Sequence, residues 1–172
     1  LEGVLEKTLL LVSNKLPIEF LEIMLPWMEK VITFKPYFDE ADWFKSDAFS
    51  SSWHDNTFRI QNAFIRSLSN ALNHVAKNSP DKFQTIVQIL EKLPYQTPQL
   101  LLAHVFATLP SLYTEEGYEF LMSDQRRFDL GRNDHYDSRQ LITAIFPHLS
   151  TEYKLQLEAA ILQYFLPVYK EF

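Results

Sequence analysis

Two stretches of this sequence concentrate side chains that could do chemistry. The first, Lys35–Asn56, sets Tyr37, Phe38, Trp43, Phe44, Phe49 and Trp53 among Asp39, Glu40, Asp42, Asp47 and Asp55. Aromatic anchors inside an acidic rim are a composition that suits a basic protein partner. The same rings could equally fold over neighbouring helices and cover them. The second stretch, Ser123–Tyr136, interleaves Arg126, Arg127 and Arg132 with Asp124, Asp129 and Asp134. Arginine forks grip carboxylates and phosphates in bidentate geometry. Here the near-balance of charge also lets them pair with their own aspartates and pin the segment. Trp43, Phe44, Trp53, Arg126, Arg127 and Arg132 are therefore the candidate interaction residues.

Catalytic and metal chemistry find little support. The five histidines (His54, His74, His104, His135, His148) never stand three or four apart, so no helix presents a metal pair. Three glycines, at 3, 117 and 131, cannot build a phosphate-binding loop or a nucleophile elbow. No catalytic residue, cofactor or metal ligand is expected. His104, in a densely apolar stretch, reads as a satisfied core residue. An enzyme remains the rival class, with Asp134 and His135 as its acid and base.

Composition narrows the partners. Sixteen basic and 22 acidic residues leave a formal charge of −6, which opposes non-specific binding to a phosphate backbone. A nucleic-acid-binding helical repeat is a third class, and it would need a local basic stripe. With no cysteine, disulfides and thiolate metal sites are excluded, which fits the cytoplasm. Leu93–Thr114 carries no charge, but three prolines interrupt it, and its dense core Leu100–Leu109 is too short to cross a bilayer. The chain starts at Leu1 without an initiator Met, as a fragment of a larger protein would.

These stretches need helices to position them. Helix-start signals recur at Thr57, Ser79, Thr97, Thr114, Asp137 and Ser150. First helices at 57, 97 and 137 alternate with second helices at 79, 114 and 150. Two helices per roughly 35–40 residues is the spacing of a HEAT-like array. An amphipathic helix over Leu1–Asn14 would bury Val4, Leu5, Thr8, Leu11 and Val12. A second would open on Pro17 and be kinked or split by Pro26. Phe64, Leu68, Ala71, Leu72 and Val75 form the next core stripe, and Leu100–Leu109 should be buried all round. Asp137 through Gln140 reads as a capping box. The expected fold is all-α, a HEAT-like α-solenoid of about four helix pairs over residues 1–172. Lys35–Asn56 is its insertion and Ser123–Tyr136 a long inter-helix loop, with Gly131 supplying a positive φ.

Leu121–Leu162 resembles a segment of the helical C-terminal regions of large bacterial signal-transducing NTPases, the STAND class. The features are Ser123, Asp124, Arg126, Arg127, Leu130 and Gly131, then Asp137, Ser138, Leu141 and Ile142, then Pro147 to Ser150. The resemblance covers about a quarter of the chain. It implies a ligand-sensing or protein-binding array whose NTPase engine lies elsewhere. The expectation is a non-catalytic scaffold or sensor module with a protein or peptide partner and no membrane.

Overall fold

The computed structural model describes residues 2–34, 44–49 and 59–169, and they are overwhelmingly helical. The helices are α1 (Glu2–Lys15), α2 (Pro17–Phe34), α3 (Arg59–Asn78), α4 (Pro80–Leu90), α5 (Gln96–Thr108), α6 (Thr114–Ser123), α7 (Arg132–Ile145) and α8 (Thr151–Tyr169). Short 3-10 helices lie at Gln125–Asp129 and Phe146–His148. Among the described residues there is no strand, only an isolated parallel bridge between Lys45 and Tyr95. The chain divides into two compact units, Leu1–Val105 and Phe106–Phe172.

In the first unit α1 and α2 both pack on α3, and α4 follows α3 as its hairpin partner. α3 buries Phe64, Leu68, Ala71, Leu72 and Val75 and exposes Arg66, Asn70 and Lys77, as its 3.6-residue period requires. Pro17 opens α2, where its missing N–H costs nothing. Pro26 does not split the helix, which runs unbroken past it.

α1 departs from expectation. Its stripe of Val4, Leu5, Thr8, Leu11 and Val12 faces solvent, while Ser13 is fully buried. The run of leucines supplies apolar groups on more than one face, so periodicity alone does not choose between them. Ser13 is small, and its hydroxyl is satisfied by the Leu10 carbonyl at 3.0 Å, so this side suits close packing.

The segment 44–49 is tied to the start of α5. Lys45 donates its N–H to the Pro94 carbonyl (2.9 Å) and accepts from the Gln96 N–H (3.0 Å). Asp47, only 3% exposed, accepts from the Thr97 N–H (2.9 Å), the Thr97 hydroxyl (2.7 Å) and the Phe49 N–H (2.9 Å). Thr97 is thus not the cap of α5. The helix begins at Gln96, and a carboxylate fifty residues away in sequence satisfies its first turn.

In the second unit α6 packs against α7 and α8. A Cβ on Gly117 would lie 3.2 Å from Ile145 Cγ2, so this glycine lets α6 approach α7 closely. Tyr118 stacks on Tyr153 with centroids 4.5 Å apart and donates its hydroxyl to Gln156 Oε1. Ser150 caps α8 as expected, accepting from the Tyr153 N–H at 3.2 Å.

Two starts are corrected here. Thr114 is the first residue of α6 rather than its cap, and its hydroxyl donates to the Pro110 carbonyl. α7 begins at Arg132, five residues before the expected Asp137, so Asp137 is not a capping box but a buried residue inside the helix. Gly131 is the reason. At φ +94° it turns the chain into α7 early, and a Cβ there would collide with Asp137 Oδ2. The expected long loop is thereby mostly helical. From α3 onward the observed helices start at 59, 80, 96, 114, 132 and 151. Thr57 lies outside the described residues.

Leu100, Leu101, Leu102, Ala103, Val105 and Phe106 are all buried, as the apolar run demands. His104 and Thr108 are exceptions: both are exposed, so His104 is not the core residue expected.

Asp47→Ala should lower stability by about 2 kcal/mol, because buried donors at Thr97 and Phe49 lose their acceptor. For a chain of this size that is about 4–8 °C in melting temperature, read by circular dichroism. Gly131→Ala should cost at least about 2 kcal/mol in urea titration, since positive φ and the Asp137 clash act together.

Candidate functional site

Pro17 to Phe34 presents a stripe at Ile18, Leu21, Glu22, Leu25, Pro26 and Glu29, positions i, i+3, i+4, i+7, i+8 and i+11. The second helix of the next hairpin repeats this spacing with Lys82, Thr85, Ile86, Ile89 and Leu90, and Leu93 follows just past its end. Between the two stripes lies an apolar groove of about 390 Å³, with Val75 of α3 also in its lining. That volume is within the range of ligand sites. Glu22, Pro26, Glu29, Lys82, Thr85 and Ile89 are all exposed, so the groove opens to solvent along its length. At 1.5 Å per residue the α2 wall, Ile18 to Glu29, is about 16 Å long and the α4 wall, Lys82 to Leu90, about 12 Å.

The polar groups are few and asymmetric. Glu22 and Glu29 sit two turns apart on the α2 wall, and Lys82 on the α4 wall. None of the three makes an ion pair or side-chain hydrogen bond among the described residues. Pro26 adds a backbone acceptor, because it has no N–H to offer the Glu22 carbonyl one turn before it.

The α2 wall is braced from its other side. Phe49 packs against Trp27 of α2 (centroids 6.1 Å) and Phe64 of α3 (5.1 Å), and Trp27 meets Phe64 edge-on at 4.8 Å. Phe49 is held where it is by Asp47, so the carboxylate that caps α5 also fixes a ring behind the groove.

No family model matches this chain, and no curated protein or solved structure does either.

The residues singled out from sequence lie elsewhere. Trp43 and Trp53 lie outside the described residues. Phe44 is 6% exposed and belongs to the core of the first unit, so the interaction role expected of it is replaced by packing. Arg127 is 4% exposed. It donates to the Phe120 carbonyl (2.7 Å) and Ser123 Oγ (2.6 Å), and its guanidinium lies 4.0 Å from the Phe120 ring centroid. A cation at the last turn of α6 satisfies carbonyls that the helix leaves open, so Arg127 is a structural cap and presents no surface. Arg126 is the half-exposed member, and it engages Asp124 through both Nε and Nη2 (3.0 and 2.6 Å). Arg132 opens α7, and its side chain lies outside what is described.

His135 lies beside Asp129, its Nδ1 in contact with the carboxylate, and its ring stands 4.9 Å from Phe165. Burial, then the charge of Arg139, holds this imidazole below its ordinary pKa. Among the described residues no hydroxyl is hydrogen-bonded to it, and no three His, Asp or Glu side chains cluster as metal ligands do. No described helix is long and apolar enough to cross a membrane.

Sequence reasoning misses the groove because Ile86, Leu90 and Leu93 read as an ordinary core stripe. The legible signal is the matching spacing on two second helices, with acids at 22 and 29 on one of them.

Burial raises the Asp124 carboxyl, but hydrogen bonds from the Arg126 side chain and backbone, and the charges of Arg126 and Arg127, outweigh it. The net pKa is lowered. A lowered carboxylate stabilises the fold fully above its unfolded pKa, and that contribution is lost as pH falls through the folded value. In wild type a part of the acid-induced loss of stability below about pH 4 should therefore be absent from Asp124→Asn, as measured by urea titration at successive pH values.

Proposed function

We propose that this chain is a non-catalytic interaction module, a HEAT-like array of helical hairpins working as a scaffold or sensor within a larger cytoplasmic protein. The observation that carries this reading is the open groove between α2 and α4. It is apolar, long enough for a three-turn helix, and rimmed by charged side chains without partners in the described chain. Stable monomeric surfaces seldom leave such a patch without use. Support also comes from the spacing of 34 and 37 residues between the starts of α4, α6 and α8 and from the resemblance of Leu121–Leu162 to the sensor regions of STAND-class NTPases. The partner is a protein or peptide. The acidic net charge favours a basic one and disfavours nucleic acid.

The rival enzyme reading names Asp134 and His135; the Asp134 side chain lies outside what is described, and the carboxylate in contact with His135 is that of Asp129. A histidine held by a carboxylate is half of a proton-transfer device, and it needs a nucleophile or a substrate pocket beside it. Among the described residues no hydroxyl is hydrogen-bonded to His135, whereas the groove has both volume and an opening to solvent, so the groove is the stronger basis.

The test is selection from a displayed library of fourteen-residue helical peptides against the whole chain, with Ile89→Glu as the counter-target. Ile89 is half exposed and lines the groove, so the variant should fold. Enriched peptides should bind wild type and lose at least tenfold on the variant. Failure to enrich any peptide with this dependence would overturn the reading.

A further inference from the structure

We propose that the occupant of the α2–α4 groove is an amphipathic helix carrying two basic side chains seven residues apart along one edge. The inference rests on the interaction role proposed above and names the chemistry of the partner. The α2 wall presents a stripe of about 16 Å and the α4 wall one of about 12 Å, so the space between them suits the apolar face of a helix laid along the groove. About three turns would be in contact, with anchors at i, i+3, i+4 and i+7.

The charges select the flank. Glu22 and Glu29 are separated by seven residues, and two turns of any helix repeat the same separation of about 10 Å. A cation on each of two matching turns would therefore meet a carboxylate that has no ion pair in the described chain. At the first of these positions Pro26 leaves the Glu22 carbonyl without its usual intrahelical donor, so an ammonium or guanidinium there has two acceptors rather than one. Lys82, alone on the opposite wall, favours an acid on the other flank and fixes the direction of the helix. An acyl chain ending in one carboxylate would satisfy Lys82 but leave two like charges facing it from α2, which argues for the basic helix instead.

The test uses two lactam-stapled, fluorescein-labelled fourteen-residue helices with leucine at positions 4, 7, 8 and 11. One has lysine at positions 3 and 10, its twin glutamate at the same places. Fluorescence polarisation at about 50 mM salt, where screening is weak, compares them on wild type, Glu22→Lys/Glu29→Lys and Ile89→Glu. Wild type should prefer the lysine helix by roughly five- to tenfold, as two solvent-facing ion pairs allow. The charge-reversed variant should invert that preference, and Ile89→Glu should weaken both helices. Equal binding of the two helices, still lost in Ile89→Glu, would overturn the charge register while leaving the interaction role standing. Binding of neither helix, together with uptake of a fluorescent fatty acid lost in Lys82→Glu, would overturn it in favour of a lipid. A concentration-dependent dimer in sedimentation, abolished by Ile89→Glu, would overturn it in favour of a second copy of the chain.

Discussion

Every α-helix leaves N–H groups at its start and carbonyls at its end without partners, and a buried helix end must find them elsewhere. This chain has three glycines, so the common device of a glycine in left-handed conformation at each helix end is scarce. Buried polar side chains do the work instead. Asp47 serves the start of α5. Gln99, fully buried in α5, donates its amide to the Leu90 carbonyl at the end of α4 and to the Leu93 carbonyl just beyond it. Arg127 serves the end of α6. Ser138 accepts from the Leu130 N–H and donates to the Arg127 carbonyl, fixing the entry to α7. Four of the chain's buried polar residues are thus explained by one constraint.

Asp47 has the widest reach, because it joins parts of the chain fifty residues apart. Ordering a segment that far from its target has a large entropic cost, and three hydrogen bonds to one carboxylate help to offset it. The consequence reaches beyond the helix that it caps. The same segment delivers Phe49 to Trp27 and Phe64, which steadies α2 against α3. α2 is a wall of the groove. A cap on α5 therefore helps to set the shape of a surface to which it contributes no atom.

How much of this is legible in the sequence depends on whether one face or two carry apolar groups. α3 reads correctly because its polar residues leave a single face to bury, and α5 because an all-apolar run has only one fate. The histidine of α5 escapes such reading, since an exposed position on a buried helix is decided by neighbours far away in sequence. α1 comes out inverted: its leucines cover more than one face, and Ser13, the residue that packs, looks like a surface residue in sequence. Arg127 and Phe44 read as contacts for a partner, because an arginine or a phenylalanine carries the same chemistry whether it faces outward or closes a helix end. Asp137 has the side chain of a cap, and only Gly131, with a φ that other residues resist, moves the helix start away from it.

The groove illustrates the limit of periodicity most directly. Its lining obeys the same i, i+3, i+4, i+7 rule as the core, because a helix buries a face in the same way whether the opposite wall is present or missing. What separates the two cases is the kind of residue interspersed in the stripe. A stripe closed by a neighbouring helix tolerates few charges, as α3 demonstrates with an inner face free of them. The α2 stripe admits Glu22, Pro26 and Glu29, and if α4 closed against it the single cation on that wall, Lys82, would leave at least one carboxylate and the Glu22 carbonyl without a partner. Burying them would cost more than the adjoining leucines return. The acids and the proline in the α2 stripe thus oppose closure by α4, and the groove stays open where they line it.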